Sequence, residues 1–331
     1  MSENGKKKLA LYWAASCGGC EIAVLALNER ILAVDEAFDL VMWPCVMDGK
    51  TRDVEQLDDG AIDVCLFNGS IRTSEQEYMA QLMRRKSKVL VAFGSCAHEG
   101  CIPGLANLYD KRRIFETNYL DSPSLDNADG VLPQTETEVA EGTLHLPTFY
   151  DTVKTLGQTV EVDYFLPGCP PEADRIWDAV QAILSGKLPP AGTVIGATTT
   201  VCDTCSRERA EKKIKAFKRT WEVVPDPTTC LLEQGLVCAG IATRAGCGAL
   251  CPEVNSPCIG CYGPNEGVED QGARLLSALA SVIDSDDEDE IDRIVRDGIP
   301  DPVGTFYRFS LPHSPLRRAR GNGNGNGERS A

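Results

Sequence analysis

The chain has 331 residues, of which 33 are basic and 49 acidic, so its formal charge is -16 at neutral pH. A charge this negative argues against a nucleic-acid-binding protein. A hydrophobic fraction of 43% and a charged fraction of 25% are ordinary for a globular protein with one large or two smaller domains, and they exclude disorder over most of the length.

Short apolar runs alternate with segments of helical spacing through the first half of the chain. Four runs in the first hundred residues predict buried strands: LALYWA (9–14), FDLVMW (38–43), IDVCLF (62–67) and KVLVAF (88–93). Two segments between them predict helices: EIAVLALNERILAV (21–34) and SEQEYMAQLMRRKS (74–87). A later strand, VEVDYFL (160–166), precedes a helix that starts near Pro170 and Pro171. This alternation is typical of an α/β fold with a parallel sheet.

The composition changes twice along the chain. Residues 105–147 are polar and broken by Gly and Pro, which predicts a loop excursion from the sheet. After a linker near 184–193 the chain is rich in cysteine, so we expect an α/β domain over 1–187 and a cysteine-rich domain with little regular structure over 188–310. The tail, 311–331, contains GNGNGNG and is expected to be disordered.

Fifteen cysteines are the unusual feature of the composition. No apolar run reaches the roughly 18–20 residues of a membrane helix, and the N-terminus lacks a signal-peptide cleavage pattern. We therefore expect a cytoplasmic protein with no membrane span. Because disulfides are rare in that compartment, metal ligation is the favoured explanation for the cysteines.

Four cysteines follow predicted strands: Cys17, Cys20, Cys96 and Cys169. Since the carboxyl ends of parallel strands meet at one sheet edge, these thiols are expected to converge there. Four thiolates suit an iron-sulfur cube or a zinc ion.

The second half supplies eight more cysteines, enough for two further sets of four. They are Cys202, Cys205, Cys230, Cys238, Cys247, Cys251, Cys258 and Cys261. Spacing alone does not exclude two zinc sites. Zinc conducts no electrons, however, and three four-thiolate sites in one chain favour an electron relay.

An ordered series of motifs resembles the small subunit of nickel-iron hydrogenases. The motifs are CGGCE, FNGSIRTSEQ, VAFGSCAHEGCIPGLANL, FLPGCPP, CDTC, CLLEQGLVCAG and SPCIGC. The resemblance runs from about residue 7 to 275, and it is greatest to the cytoplasmic methyl-viologen-reducing type, which works beside heterodisulfide-reductase-like proteins.

The resemblance implies a flavodoxin-like first domain and three 4Fe-4S clusters. It assigns Cys17, Cys20, Cys96 and Cys169 to a proximal cluster, Cys202, Cys205, Cys230 and Cys238 to a distal cluster, and Cys247, Cys251, Cys258 and Cys261 to a medial cluster. Cys202 replaces a histidine found in many relatives, and Cys251 offers a fourth medial thiol, so both sites are expected to hold 4Fe-4S.

The implied function is electron transfer between a large subunit, which holds the nickel-iron site, and an acceptor. The acceptor would be an iron-sulfur or flavin protein, for which a heterodisulfide-reductase-like protein is one candidate. A complex I-like electron-transfer subunit and a zinc-stabilised binding module are the alternatives. The complex I-like subunit would resemble only the first domain.

Five residues near these motifs keep more than one interpretation. Cys65 is predicted to be a core residue, and packing is also favoured for Cys45 and Cys101. Glu21 is either an exposed first-turn glutamate or a group near the cluster, and a structural role is favoured for His98. Separately, residues 207–219 form a basic stretch with high helix propensity, which predicts a helix that is either merely solvated or steers an acidic partner.

Overall fold

The computed structural model describes residues 5–210 and 213–316. These residues form the following strands: β1 (Lys7–Trp13), β2 (Phe38–Met42), β3 (Ile62–Asn68), β4 (Ile71–Thr73), β5 (Ser87–Phe93), β6 (Glu136–Val139), β7 (Gly142–His145), β8 (Phe149–Lys154), β9 (Tyr164–Leu166) and β10 (Thr193–Val194). Their α-helices are α1 (Gly19–Leu25), α2 (Ile31–Ala37), α3 (Thr51–Glu55), α4 (Ser74–Lys86), α5 (Ser95–Glu99), α6 (Lys111–Tyr119), α7 (Ala173–Ser185), α8 (Val201–Thr204), α9 (Leu250–Glu253), α10 (Gln271–Ala280), α11 (Glu288–Gly298) and α12 (Pro302–Phe306).

The main sheet has six parallel strands in the order β2-β1-β3-β5-β9-β10. Its first five strands follow the 2-1-3-4-5 order of flavodoxin-like sheets, and β10 adds an edge. The predicted α/β fold class is therefore confirmed, as are the four strands of the first hundred residues. The strand predicted over 160–166 is shorter and spans Tyr164–Leu166. Just before it, the Asp163 carboxylate accepts hydrogen bonds from Arg84 and from the N–H of Leu90 in place of a strand pairing.

Alternate side chains of the strands build a core on each face of the sheet. On one face, Leu9 and Leu11 of β1 pack in a cluster with α1 and α7. On the other, Ala10 of β1 and Cys65 of β3 join a cluster with α4. Cys65 is fully buried, which confirms its prediction as a core residue. Because both faces of the sheet are buried, side chains pointing to either face are apolar, and each strand reads as a continuous apolar run.

Several details differ from the expectations. Residues 105–147 leave the main sheet, but they contain α6 and the β6–β7 hairpin rather than loop alone. The main sheet continues to β10, so the boundary expected after residue 187 lies too early. Residues 311–316 are not disordered, because the Pro312 carbonyl accepts a hydrogen bond from Gln158 and Ser314 is buried. Residues 317–331 lie outside the described residues.

The cysteine-rich half has its own apolar core. It is built from short helices and irregular segments, and includes Val201, Phe217, Leu275, Ile294 and Phe306. No helix in residues 5–210 and 213–316 is long and apolar enough to cross a membrane.

The helix predicted over the basic stretch is wrong for its described part. Residues 207–210 and 213–219 contain only isolated bridges, such as Ile214 with Ile283 and Lys218 with Leu236. Ile214 and Phe217 are buried, so tertiary packing holds this segment extended against its local propensity. Glu211 and Lys212 lie outside the described residues.

Candidate metal centres

Four cysteines lie at the carboxyl-terminal edge of the main sheet, and we call them the proximal set. Cys17 follows β1, Cys20 lies in the first turn of α1, Cys96 lies in α5 directly after β5, and Cys169 follows β9. The three strands are parallel members of one sheet, so their carboxyl ends share this edge. The structure thus brings together four thiols that are distant in sequence.

The proximal thiols interact electrostatically, although Cys20 and Cys96 are buried while Cys17 and Cys169 are exposed. Burial, and after it the charges of Cys96 and Cys169, raises the pKa of Cys20. Gly94 leaves room for this thiol, because a Cβ atom at Gly94 would lie 2.3 Å from Cys20 Sγ. A bound cationic metal centre would offset the raised pKa, since metal coordination stabilises thiolates.

Cys101 is a fifth thiol beside the proximal set. It is fully buried, and its Sγ lies 3.7 Å from Cys169 Sγ. The hydrogen bond from Cys101 lowers the pKa of Cys169 to about 7 and raises that of Cys101. A left-handed φ of 46° at Cys101, rare for a residue other than glycine, directs the chain back towards this pocket. Cys101 therefore faces a thiol as well as the apolar ring of Phe309.

Glu21 and His98 are both buried behind the proximal set. The Glu21 carboxylate accepts hydrogen bonds from Trp43 Nε1 at 2.6 Å and Asn68 Nδ2 at 3.2 Å. Of its two interpretations, the exposed first-turn glutamate is excluded, and the group near the proximal thiols is the one that remains. Burial lowers the pKa of His98 to about 3, and its ring centroid lies 4.8 Å from that of Phe165. Cys45 is exposed as a residue. Partial desolvation of its thiol, and after it the Glu21 charge, still raises its pKa.

A second group of thiols, the distal set, surrounds a small cavity in the cysteine-rich half. The cavity has a volume of about 20 Å³ and is lined by Cys202, Cys205, Cys230 and Cys238 together with Arg207. Burial, followed by the charges of Cys238, Cys230 and Cys205, raises the pKa of Cys202 to about 12. A Cβ atom at Gly240 would lie 3.2 Å from Cys202 Sγ, so this glycine also keeps the cavity open.

The remaining four thiols, the medial set, are Cys247, Cys251, Cys258 and Cys261. Burial, and then the charges of Cys247, Cys169 and Cys251, raises the pKa of Cys261 to about 12. Cys258 lies close to Cys261 and also to Cys238 of the distal set. Burial first, and then the charges of Cys238 and Cys261, raises the pKa of its thiol.

The three sets follow one another in space. Cys169 of the proximal set and Cys261 of the medial set influence each other electrostatically. Ser95 links the same two regions: its Oγ accepts a hydrogen bond from Gly168 N–H at 3.1 Å and donates to the Cys261 carbonyl at 2.6 Å. At the other end, Cys258 N–H of the medial set donates to Cys238 Sγ of the distal set at 3.3 Å. The order is proximal, medial, distal.

The donor chemistry of the three thiol sets is uniform. Each set supplies four cysteine thiols, the ligands that hold 4Fe-4S clusters. All fifteen cysteines are free thiols, so disulfides do not consume the ligands. The donor sets therefore fit iron-sulfur clusters.

Two residues of the site were missed by the sequence analysis. Ser95 carries the hydrogen bonds between the proximal and medial sets, and its position directly before Cys96 was the available signal. Arg207 was assigned to a surface stretch, yet it is buried beside the distal set. Only its proximity in sequence to Cys205 hinted at this.

The chain is similar to hydrogenase subunits along nearly all of its length. It is 41% identical over 317 residues to the iron-sulfur subunit of the F420-non-reducing hydrogenase of Archaeoglobus profundus, and the match covers 94% of this chain and 98% of that protein. It is 37% identical over 314 residues to a subunit of the F420-non-reducing hydrogenase of Methanothermobacter thermautotrophicus, covering 93% and 95%.

Two further comparisons each match about half of the chain. Residues 17–183 match the family described as NADH ubiquinone oxidoreductase, 20 Kd subunit. Among solved structures, an NAD+-reducing NiFe-hydrogenase in the H2-reduced state contains a chain that is 28% identical, with a TM-score of 0.48, covering 56% of this chain and 94% of that one.

Proposed function

The chain belongs to the family of F420-non-reducing hydrogenase iron-sulfur subunits, the small subunits of nickel-iron hydrogenases, and from this premise we propose how it transfers electrons. It relays them between the nickel-iron large subunit and an acceptor protein through three 4Fe-4S clusters. The chain itself supplies the relay and its protein ligands. The catalytic nickel-iron site belongs to the large subunit.

Each cluster has four cysteine ligands in this proposal. The proximal set holds the first, the medial set the second and the distal set the third. When bound, a 4Fe-4S cluster accepts and releases single electrons at a potential set by its charge, burial and hydrogen bonds. The residues of the chain fix the spacing of the three sites and exclude water from them, since most of the ligand thiols are buried or half-buried.

The observation that carries the proposal is the spatial order of the thiol sets. Cys169 adjoins Cys261, and Cys258 donates its N–H to Cys238 Sγ. The medial set is therefore in direct contact with the proximal set on one side and the distal set on the other. A set of isolated structural zinc sites does not require such contiguity. An electron relay does, because each transfer step needs a short distance between carriers.

The large subunit is expected to cover the exposed side of the proximal set. Cys17 is exposed there, although a ligand of a buried relay should be shielded from water. Exposed apolar side chains surround it: Trp13 lies against Gly18, while Ile22 and Leu25 project from α1. Such a concentration of apolar surface is typical of a subunit interface. The distal set, at the other end, is the expected exit towards an iron-sulfur or flavin acceptor, for which a heterodisulfide-reductase-like protein remains one candidate.

Free thiols throughout the chain also favour a cytoplasmic location, where reducing conditions preserve them. The complex I-like alternative accounts for less of the chain, because the matching family model ends at residue 183. It leaves the eight thiols after residue 200 unexplained.

The test is to co-express the chain with its large subunit and purify the heterodimer without oxygen. We expect a brown protein whose visible absorption is bleached by hydrogen, whereas the small subunit alone is bleached only by dithionite. A colourless protein containing zinc would contradict the proposal.

A further inference from the structure

Arg207 is a buried arginine between the distal and medial sets. It is 6% exposed and follows Cys205 by two residues. The guanidinium has five N–H donors, and each has an acceptor. Nε donates to the Pro252 carbonyl at 2.9 Å, Nη1 donates to the carbonyls of Asp226 at 2.7 Å and Thr229 at 2.9 Å, and Nη2 donates to the Pro252 carbonyl at 2.8 Å and to Asn255 Oδ1.

These acceptors lie in two turns that carry cluster ligands. Asp226 and Thr229 belong to the turn that leads into Cys230 of the distal set. Pro252 and Asn255 belong to the turn that follows Cys251 of the medial set. One rigid, planar group therefore joins the two ligand sets, and a lysine could not reproduce its directed bonds.

The charge of Arg207 has no direct carboxylate partner among these five bonds. Its acceptors are four backbone carbonyl contacts and one side-chain amide oxygen, all of them neutral. The carboxylate that the Arg207 charge does reach, Glu253, is exposed and bonds Ser206 instead, so it compensates this buried cation only weakly. Arg207 lines the cavity enclosed by Cys202, Cys205, Cys230 and Cys238, so a negatively charged thiolate cluster is the counter-charge that this position faces.

We propose that Arg207 is a positioning residue that fixes the distal and medial ligand turns to each other and holds the reduction potential of the distal cluster up. Reduction adds negative charge to a cluster, and a nearby fixed cation favours that change. The inference rests on the proposed function, because it presumes that the distal set holds an iron-sulfur cluster.

The experiment compares three variants in the purified heterodimer: Arg207→Gln, Arg207→Lys and Arg209→Gln. Arg209 lines the same cavity but is exposed, so its replacement removes an equal charge without breaking the buried bonds. The readouts are iron content and a redox titration followed by electron paramagnetic resonance. The unaltered heterodimer is measured first, and if it contains no iron-sulfur cluster, the proposed function itself fails.

We expect Arg207→Gln to make reduction of the distal cluster at least tenfold less favourable at a given potential, a shift of about 59 mV for a one-electron couple. The signal of the proximal cluster should not change. Arg207→Lys should retain more of the potential while broadening the distal and medial signals, and Arg209→Gln should shift the potential less because water screens an exposed charge.

If Arg207→Gln loses distal and medial iron but keeps proximal iron, the positioning role is supported, and the potential of Arg207→Lys then tests the charge. Unchanged spectra and potentials in Arg207→Gln would overturn the proposal. An equal shift in Arg209→Gln would also overturn it, because the effect would then follow from any positive charge beside the cavity and not from the buried Arg207.

Discussion

Glu99 offers a test of how the interface between the two halves is built. It is fully buried, and neither of its carboxyl oxygens has a hydrogen-bond partner among the described residues. A Cβ atom at Gly263 would lie 1.6 Å from Glu99 Oε1, so the glutamate packs directly against the loop that follows Cys261. Burial, opposed by the Arg244 charge, raises the pKa of Glu99 from its ordinary 4.5 to about 8.

The raised pKa makes stability fall as pH rises. Below pH 4.5 Glu99 is protonated in both the folded and the unfolded chain and costs nothing. Between 4.5 and 8 the unfolded chain releases the proton while the folded chain retains it, so the free energy of unfolding decreases. At pH 7 the difference is about 2.5 pKa units, or about 3 kcal/mol at 1.36 kcal/mol per unit. Glu99→Gln keeps the shape and removes this penalty.

The assay is the thermal unfolding midpoint of the heterodimer, measured without oxygen from pH 4.5 to 8. At pH 7 we expect Glu99→Gln to raise the midpoint by a few degrees, since with an unfolding entropy of about 2.1 cal/mol/K per residue 1 kcal/mol shifts the midpoint of a chain of 331 residues by about 1.5 °C. The gain should vanish at pH 4.5. Glu141→Gln, at an exposed hairpin turn, is the matched control and should show no such trend. A gain independent of pH, or none at pH 7, would refute the reasoning.

Three further predictions concern the thiol sets. Gly94→Ala should remove about four irons per chain, because its Cβ would lie 2.3 Å from Cys20 Sγ, whereas Gly186→Ala, with a similar φ in open space, should retain them all. Cys65→Ser should lower the free energy of unfolding by only about 1 kcal/mol, since the adjacent Ser87 Oγ can hydrogen-bond the new hydroxyl, and iron content should not change. Cys17→Ser should abolish the paramagnetic resonance signal of the proximal cluster and leave the medial signal intact. Cys169→Ser should alter both signals because Cys169 adjoins Cys261. Equal loss of all signals in both variants would show that the three sets do not assemble their clusters independently.

The strands and the proximal set were predictable because their signals are local. Each buried strand is a continuous apolar run, and a parallel sheet places the residues after β1, β5 and β9 at one edge whatever lies between them. The positions of Cys17, Cys96 and Cys169 directly after those strands therefore sufficed to group them.

Features that depend on tertiary contacts were not predictable. The basic stretch has helical propensity, but Ile214 and Phe217 pack in the core of the cysteine-rich half. This tertiary packing overrides the local preference for a helix. Arg207 could not be distinguished from the surface residues beside it, since its acceptors lie 19 to 48 residues further along the chain. Cys101 lies 3.7 Å from Cys169, 68 residues further along the chain, and its φ is left-handed; apolar periodicity encodes neither feature.

The central claim, three 4Fe-4S clusters on twelve cysteines, is tested most directly by counting acid-labile sulfide in the heterodimer together with its resonance spectrum after reduction by hydrogen. Cluster sulfide is released by acid, whereas cysteine sulfur is not. We predict about twelve sulfides per heterodimer and three interacting cluster signals. About eight sulfides would contradict the account, because one cluster would be missing. A persistent 3Fe-4S signal in protein never exposed to oxygen would also contradict it and would remove Cys251 from the ligands.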